Sequence, residues 1–98
     1  MLESIYQARL IKKLERMFPG ILIRKHEIQQ GWPDLLLLCG PYWAMLEVKR
    51  KRPTPADFEA NQEWWIEEFD RISFSACIYP ENEEEVLHDL AEAFGTRR

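Results

Sequence analysis

Asp34, Glu47 and Lys49 are the side chains whose types and spacing point most directly to chemistry. Asp34 closes the run Gly31-Trp32-Pro33-Asp34, and Glu47 and Lys49 bracket Val48 in Leu46-Glu47-Val48-Lys49. Between them, residues 35 to 38 are all leucine. A short unbroken apolar run beside turn residues suits a strand buried on both faces. Gly40 and Pro41 break the run, and Trp43 to Lys49 reads as a second strand. A hairpin centred between Gly40 and Pro41, with Gly40 at positive φ, places Asp34 opposite Glu47. Side chains alternate along a strand, so Glu47 and Lys49 share a face while Leu46 and Val48 share the other. Directly opposed residues have Cβ atoms about 5 Å apart.

Two carboxylates held opposite each other repel. A divalent cation removes the conflict. Mg²⁺ favours oxygen ligands, keeps several waters, polarises phosphoryl oxygens and lowers the pKa of water. Lys49 adds a positive charge beside a phosphate. The expected chemistry is cleavage of a phosphodiester. The competing reading is a surface hairpin with an ordinary Glu–Lys pair, because E-x-K alone is common.

The chain resembles the PD-(D/E)XK nucleases, and within them the stand-alone virus-type replication-repair nuclease (VRR-NUC) domains. The residues that carry the resemblance are Glu3, Gly31-Trp32-Pro33-Asp34, Glu47-Val48-Lys49 and Gln62. It spans nearly the whole chain. It implies a restriction-endonuclease-like core, with Mg²⁺ or Mn²⁺ held by Asp34, Glu47 and the backbone carbonyl of Val48. It further implies that Lys49 positions or activates the attacking water and that Glu3 and Gln62 support the site from its edges. Family members usually carry a Gly just before the last strand, where this chain has Phe69-Asp70-Arg71-Ile72.

Charge distribution bears on the substrate. The net charge is −4, against the basic balance common in DNA-binding domains. Yet residues 1 to 56 hold ten Lys and Arg against five acids, while residues 57 to 92 hold one Arg against twelve acids. Such polarity can present a basic face to phosphates and an acidic face to water, although a solvated acidic helix pair without any directional role would read the same. Lys49 begins a run of cations with Arg50, Lys51 and Arg52. Beside a phosphate-cutting site these read as a DNA-backbone clamp, and elsewhere as a solvated loop.

The elements that must position these groups follow in order. Residues 2 to 17 form an amphipathic helix with the stripe Leu2, Tyr6, Leu10, Leu14 and Met17, ended by Pro19-Gly20. Residues 21 to 28 are a first strand. Thr54 or Asp57 caps a helix that has Pro55 in its first turn and runs to about Phe69. Its stripe is Phe58, Gln62, Trp65, Ile66 and Phe69, with Trp64 off the stripe. Residues 72 to 79 are a final strand. Pro80 to Asn82 opens a last helix with Val86, Leu87, Leu90, Ala93 and Phe94 inward. The order α-β-β-β-α-β-α predicts one α/β domain over residues 1–98. Its sheet is mixed and flanked by helices, with antiparallel hairpins first and the last strand returning parallel.

Ninety-eight residues with 46% hydrophobic and 31% charged side chains suit a single globular domain. The chain starts at Met1 and reads as complete, with no membrane span and no signal pattern. Cys39 and Cys77 read as buried free thiols, and a cytoplasmic setting follows, a host cytoplasm if the gene is viral, as in a phage. His26 and His88 are isolated and make no zinc set. Gly-rich phosphate loops and Ser-His-Asp arrangements are absent.

The expected function is a Mg²⁺- or Mn²⁺-dependent DNA endonuclease. Stand-alone members of the resembled family are similar to Holliday-junction resolvases, which implies branched DNA and a homodimer with one site per chain. Trp64, Trp43 and the first helix are the candidate interface. The alternatives are a flap, nick or duplex nuclease without structural preference, and a DNA-binding module that kept the fold and lost turnover.

Overall fold

The computed structural model describes residues 1–27 and 29–95. Ile28, expected to end the first strand, and Thr96, Arg97 and Arg98 lie outside the described residues. The elements are α1 (Glu3–Met17), β1 (Leu22–Lys25), β2 (Leu35–Cys39), β3 (Tyr42–Val48), α2 (Gln62–Ile72), β4 (Phe74–Ile78) and α3 (Glu83–Ala93). This is an α/β architecture in the order expected from the sequence. The four strands form one sheet in spatial order β1-β2-β3-β4. β1, β2 and β3 pair antiparallel, and β4 lies parallel to β3 after the α2 crossover.

The central hairpin has the register that its turn dictates. Cys39 pairs with Tyr42 across Gly40-Pro41, and Gly40 takes the positive φ of 60° that the turn requires. Leu35 pairs with Leu46, so the next positions outward are Asp34 and Glu47. One sheet face carries Leu35, Leu37, Ala44, Leu46, Val48 and Ile78, packed against Tyr6, Leu10 and Leu14 of α1 and Val86, Leu87 and Leu90 of α3. Fully burying each of the Leu, Val and Ile side chains among these contributes about 1.5–3 kcal/mol. The opposite face meets α2, where Phe69 packs edge-on against Trp43 and Trp32.

Several sequence expectations need correction. The α1 stripe is shifted at its ends: Leu2 and Met17 are exposed, and Phe18 closes the core instead. β1 is four residues long, shorter than expected. The helix expected from Thr54 to Phe69 is two pieces. Asp57 accepts the Thr54 N–H at 2.8 Å and caps only a single 3-10 turn over Pro55–Asp57. Phe58 is extended and Asn61 is left-handed (φ 66°), so α2 starts afresh at Gln62. Ala93 is exposed, and Ala91 packs against the core in its place. Cys39 and Cys77 are free thiols but only half-buried. Among the described residues no helix is long and apolar enough to cross a membrane.

Candidate active site

Asp34 and Glu47 cap the β2–β3 ladder with their own side chains. The Asp34 N–H donates to Glu47 Oε1 at 3.1 Å, and the Val48 N–H donates to Asp34 Oδ2 at 3.2 Å. Each carboxylate is therefore locked to the other residue's strand. Glu47 is 2% exposed, and its neighbour across the parallel pairing is Cys77. Lys49 follows immediately, with its Nζ 3.2 Å from Glu47 Oε2. The same ammonium donates to the Asp57 carbonyl at 2.9 Å and lies 5.4 Å from the Phe58 ring centroid. Lys49 is held on three sides by groups from strand and loop.

The Asp34 backbone is fixed by packing of the turn before it. Gly31 has φ +89°, and a Cβ there would come 2.9 Å from the Ala60 carbonyl oxygen, so only glycine fits without a shift. The Gly31 N–H donates to Glu59 Oε1 at 3.2 Å. Pro33 is fully buried. Trp32 stacks on His26 with centroids 4.8 Å apart and meets Trp65 at 5.3 Å. Gln62, 3% exposed, sends Nε2 to the Trp32 carbonyl at 3.5 Å and accepts the Glu59 N–H at 3.2 Å. These contacts join the motif turn to the start of α2.

Two openings flank the carboxylates. On the Lys49 side a cleft of about 170 Å³ is lined by Glu3, Lys49, Arg50, Lys51, Pro53 and Asp57. On the Asp34 side a cleft of about 420 Å³ is bordered by Asp34, Glu59, Gln62, Trp32, His26 and Glu27 among others. Of the residues singled out in the sequence, Asp34, Glu47, Val48 and Lys49 come together directly, with Glu3 and Gln62 at opposite edges. Arg50 and Lys51 border the Lys49 cleft, while Arg52 is exposed and does not line it. Glu59 and Phe58 were missed. Glu59 carries no local signal in the sequence, because the Gly31 N–H that it accepts lies 28 residues earlier in the chain.

Burial and mutual repulsion leave the carboxylates short of positive charge. Desolvation first, and the Asp34 charge second, push Glu47 up from 4.5 to about 7, against the pull of Lys49. Asp34 is also raised, chiefly by burial, against the Val48 N–H bond, which lowers it. The Cys77 thiol is pushed up to about 12 by burial and then by Glu47. The Lys49 ammonium is raised despite its own desolvation, because Glu47 favours the charged form. One cation thus serves a buried acid, Glu47, and a half-buried one, Asp34, which is the electrostatic condition a hard divalent cation relieves. Among the described residues no group of three or more His, Cys, Asp or Glu side chains is placed to hold a metal. The fit is to an ion that takes two carboxylates and fills its remaining positions with carbonyl oxygen, water and substrate, as Mg²⁺ does. Comparison with known proteins gives no match to a family model, a curated sequence or a solved structure.

Proposed function

We propose that this chain is a metal-dependent endodeoxyribonuclease of the PD-(D/E)XK kind, hydrolysing phosphodiester bonds. The observation that carries the reading is the cross-bonded pair Asp34–Glu47 with the Lys49 ammonium 3.2 Å from Glu47. That constellation closes a cleft bordered by the cations Arg50 and Lys51. Asp34, Glu47 and the Val48 carbonyl would hold Mg²⁺ or Mn²⁺, which when bound offsets phosphate charge and lowers the pKa of water.

The protein's own groups supply the rest. Lys49 directs a positive charge at the phosphate and orients the attacking water. Its tether to the Asp57 carbonyl keeps it in place without substrate. Glu3 stands across the Lys49 cleft and orders solvent at its edge. Gln62 holds the Trp32 carbonyl and so the turn that presents Asp34. Arg50, Lys51 and Arg52 contact the DNA backbone around the scissile phosphate.

The proposed substrate is branched or otherwise structured DNA such as a Holliday junction, cut by a homodimer. One site per chain needs a two-fold partner to cut paired strands. Exposed Trp64 (54%), Leu22 (52%) and Leu38 (37%) supply apolar surface for that contact. The test is incubation of four-way junction, flap and linear duplex DNA with Mg²⁺, Mn²⁺ or EDTA. Metal-dependent, paired nicks on the junction support the reading. Cutting of all three alike removes the structural preference, and no cutting of any removes the enzyme.

A further inference from the structure

The charge on α1 is arranged as a stripe that the site does not use. Arg9, Lys12, Lys13 and Arg16 line the α1 side of a groove of about 570 Å³, whose other side, at the start of α3, carries Glu83 and the exposed Glu84. Their spacing puts them on one flank of the helix, beside the buried stripe of Tyr6, Leu10 and Leu14. Lys13 is the paired member: its Nζ lies 2.7 Å from Glu83 Oε2, and Glu83 Oε1 accepts the Tyr6 hydroxyl at 2.8 Å. Glu83 is thereby occupied. Arg9, Lys12 and Arg16 are exposed and make no ion pair among the described residues.

The groove and the site meet at the beginning of α1. Met1 borders the groove, and Glu3 borders the Lys49 cleft. From Glu3 to Arg16 the helix rises about 20 Å at ~1.5 Å per residue. A duplex advances ~3.4 Å per phosphate on each strand, so this length matches about six base pairs. Unpaired cations in line with a phosphodiester site have the charge and spacing to receive a polyanionic backbone.

We propose that the α1 groove, through Arg9, Lys12 and Arg16, is a DNA-backbone track that holds the duplex arm leading away from the scissile phosphate. The inference rests on the nuclease reading for its substrate, but its test reads binding. The chain carrying Arg9→Gln, Lys12→Gln and Arg16→Gln is compared with the wild type. These exposed substitutions keep good helix formers on α1. Affinity for a duplex is measured by fluorescence anisotropy between about 50 and 200 mM salt, with Ca²⁺ present to suppress turnover. Hydrolysis of bis(p-nitrophenyl) phosphate, too small to reach the groove, is followed with Mg²⁺ or Mn²⁺. Each phosphate contact adds ~0.9 to the slope of log affinity against log salt. Loss of three contacts lowers the slope by about 2.7, while small-diester hydrolysis stays unchanged. A slope equal to wild type, with melting unaltered, overturns the track. So does an unchanged slope with a change of mass by light scattering, which assigns the groove to a second copy of the chain. If the wild type hydrolyses nothing yet the slope falls as stated, the nuclease reading fails and the track stands. If it hydrolyses DNA and the slope is unaltered, the track fails alone.

Discussion

Replacing Glu47 with Gln should stabilise the metal-free protein at alkaline pH and lose that advantage in acid. Glu47 titrates near 7 in the folded chain against an ordinary 4.5. Raising a carboxyl pKa by one corresponds to about 1.36 kcal/mol, so ionised Glu47 costs the fold roughly 3 kcal/mol above pH 7. The sign follows from proton counting. Between pH 4.5 and 7 the folded state keeps the proton that the unfolded state has lost, so stability falls as pH rises through that window. Below 4.5 both states are protonated and the penalty disappears. Gln keeps an acceptor for the Asp34 N–H but turns an amide toward Lys49, a loss of about 1 kcal/mol. The net expectation at pH 8 is a gain of about 2 kcal/mol, or roughly 8–16 °C in melting temperature for a domain of this size. At pH 5 the gain should vanish or reverse. The assay is thermal unfolding of both proteins in EDTA from pH 5 to 8. Adding Mg²⁺ at pH 8 should then raise the wild type toward the variant while leaving the variant unmoved. Parallel stability curves for the two proteins across this range would refute the reasoning, since the buried carboxylate would then carry no penalty.

Other expectations follow from the same geometry. Lys49→Ala should lower single-turnover cleavage on the order of 10²- to 10³-fold while leaving most of the DNA affinity, measured by anisotropy. Replacing Arg50, Lys51 and Arg52 together with Ala should weaken binding to all sequences alike and reduce the salt slope by at most about 2.7, the smaller share coming from Arg52. Gly31→Ala forces a Cβ to 2.9 Å from the Ala60 carbonyl at φ +89°, and should cost on the order of 1–3 kcal/mol in denaturant unfolding together with a loss of cleavage. Light scattering at micromolar concentration should give twice the chain mass, and a persistent monomer with and without junction DNA would remove the resolvase reading.

The register that brings Asp34 and Glu47 together was legible from two signals. The leucine run marks a strand, and a two- or four-residue loop around Gly40-Pro41 gives one register, so Leu35 meets Leu46 and the acids fall at the next step; the expected burial on both faces fails at Leu38, which is exposed. The parallel return of β4 was legible from the helix between it and β3. The break before α2 was not. Thr54 and Asp57 form a capping box whether a long helix or a single turn follows, and the break comes from Phe58 in extended and Asn61 in left-handed backbone. The glycine expected before the last strand is unnecessary here. Ser73 leaves α2 at φ −153° and ψ −118°, with no positive φ for a glycine to supply. The Glu59–Gly31 bond links residues 28 apart in the chain, and no local pattern encodes such a pairing. Leu2 and Met17 fit the α1 period but are exposed. Periodicity names a face without giving the length of that face that finds a partner.

The most direct test of the site is single-turnover cleavage of a labelled four-way junction by wild type, Asp34→Asn, Glu47→Gln and Lys49→Ala, each with Mg²⁺, Mn²⁺ and EDTA. Cleavage by wild type with either metal, none with EDTA, and loss on the order of 10²-fold or more in every variant whose fold persists is the expected result. Wild-type cutting that survives EDTA, or variants of Asp34 and Glu47 that cut at the wild-type rate, would contradict the assignment of these residues as the metal-dependent phosphodiesterase centre.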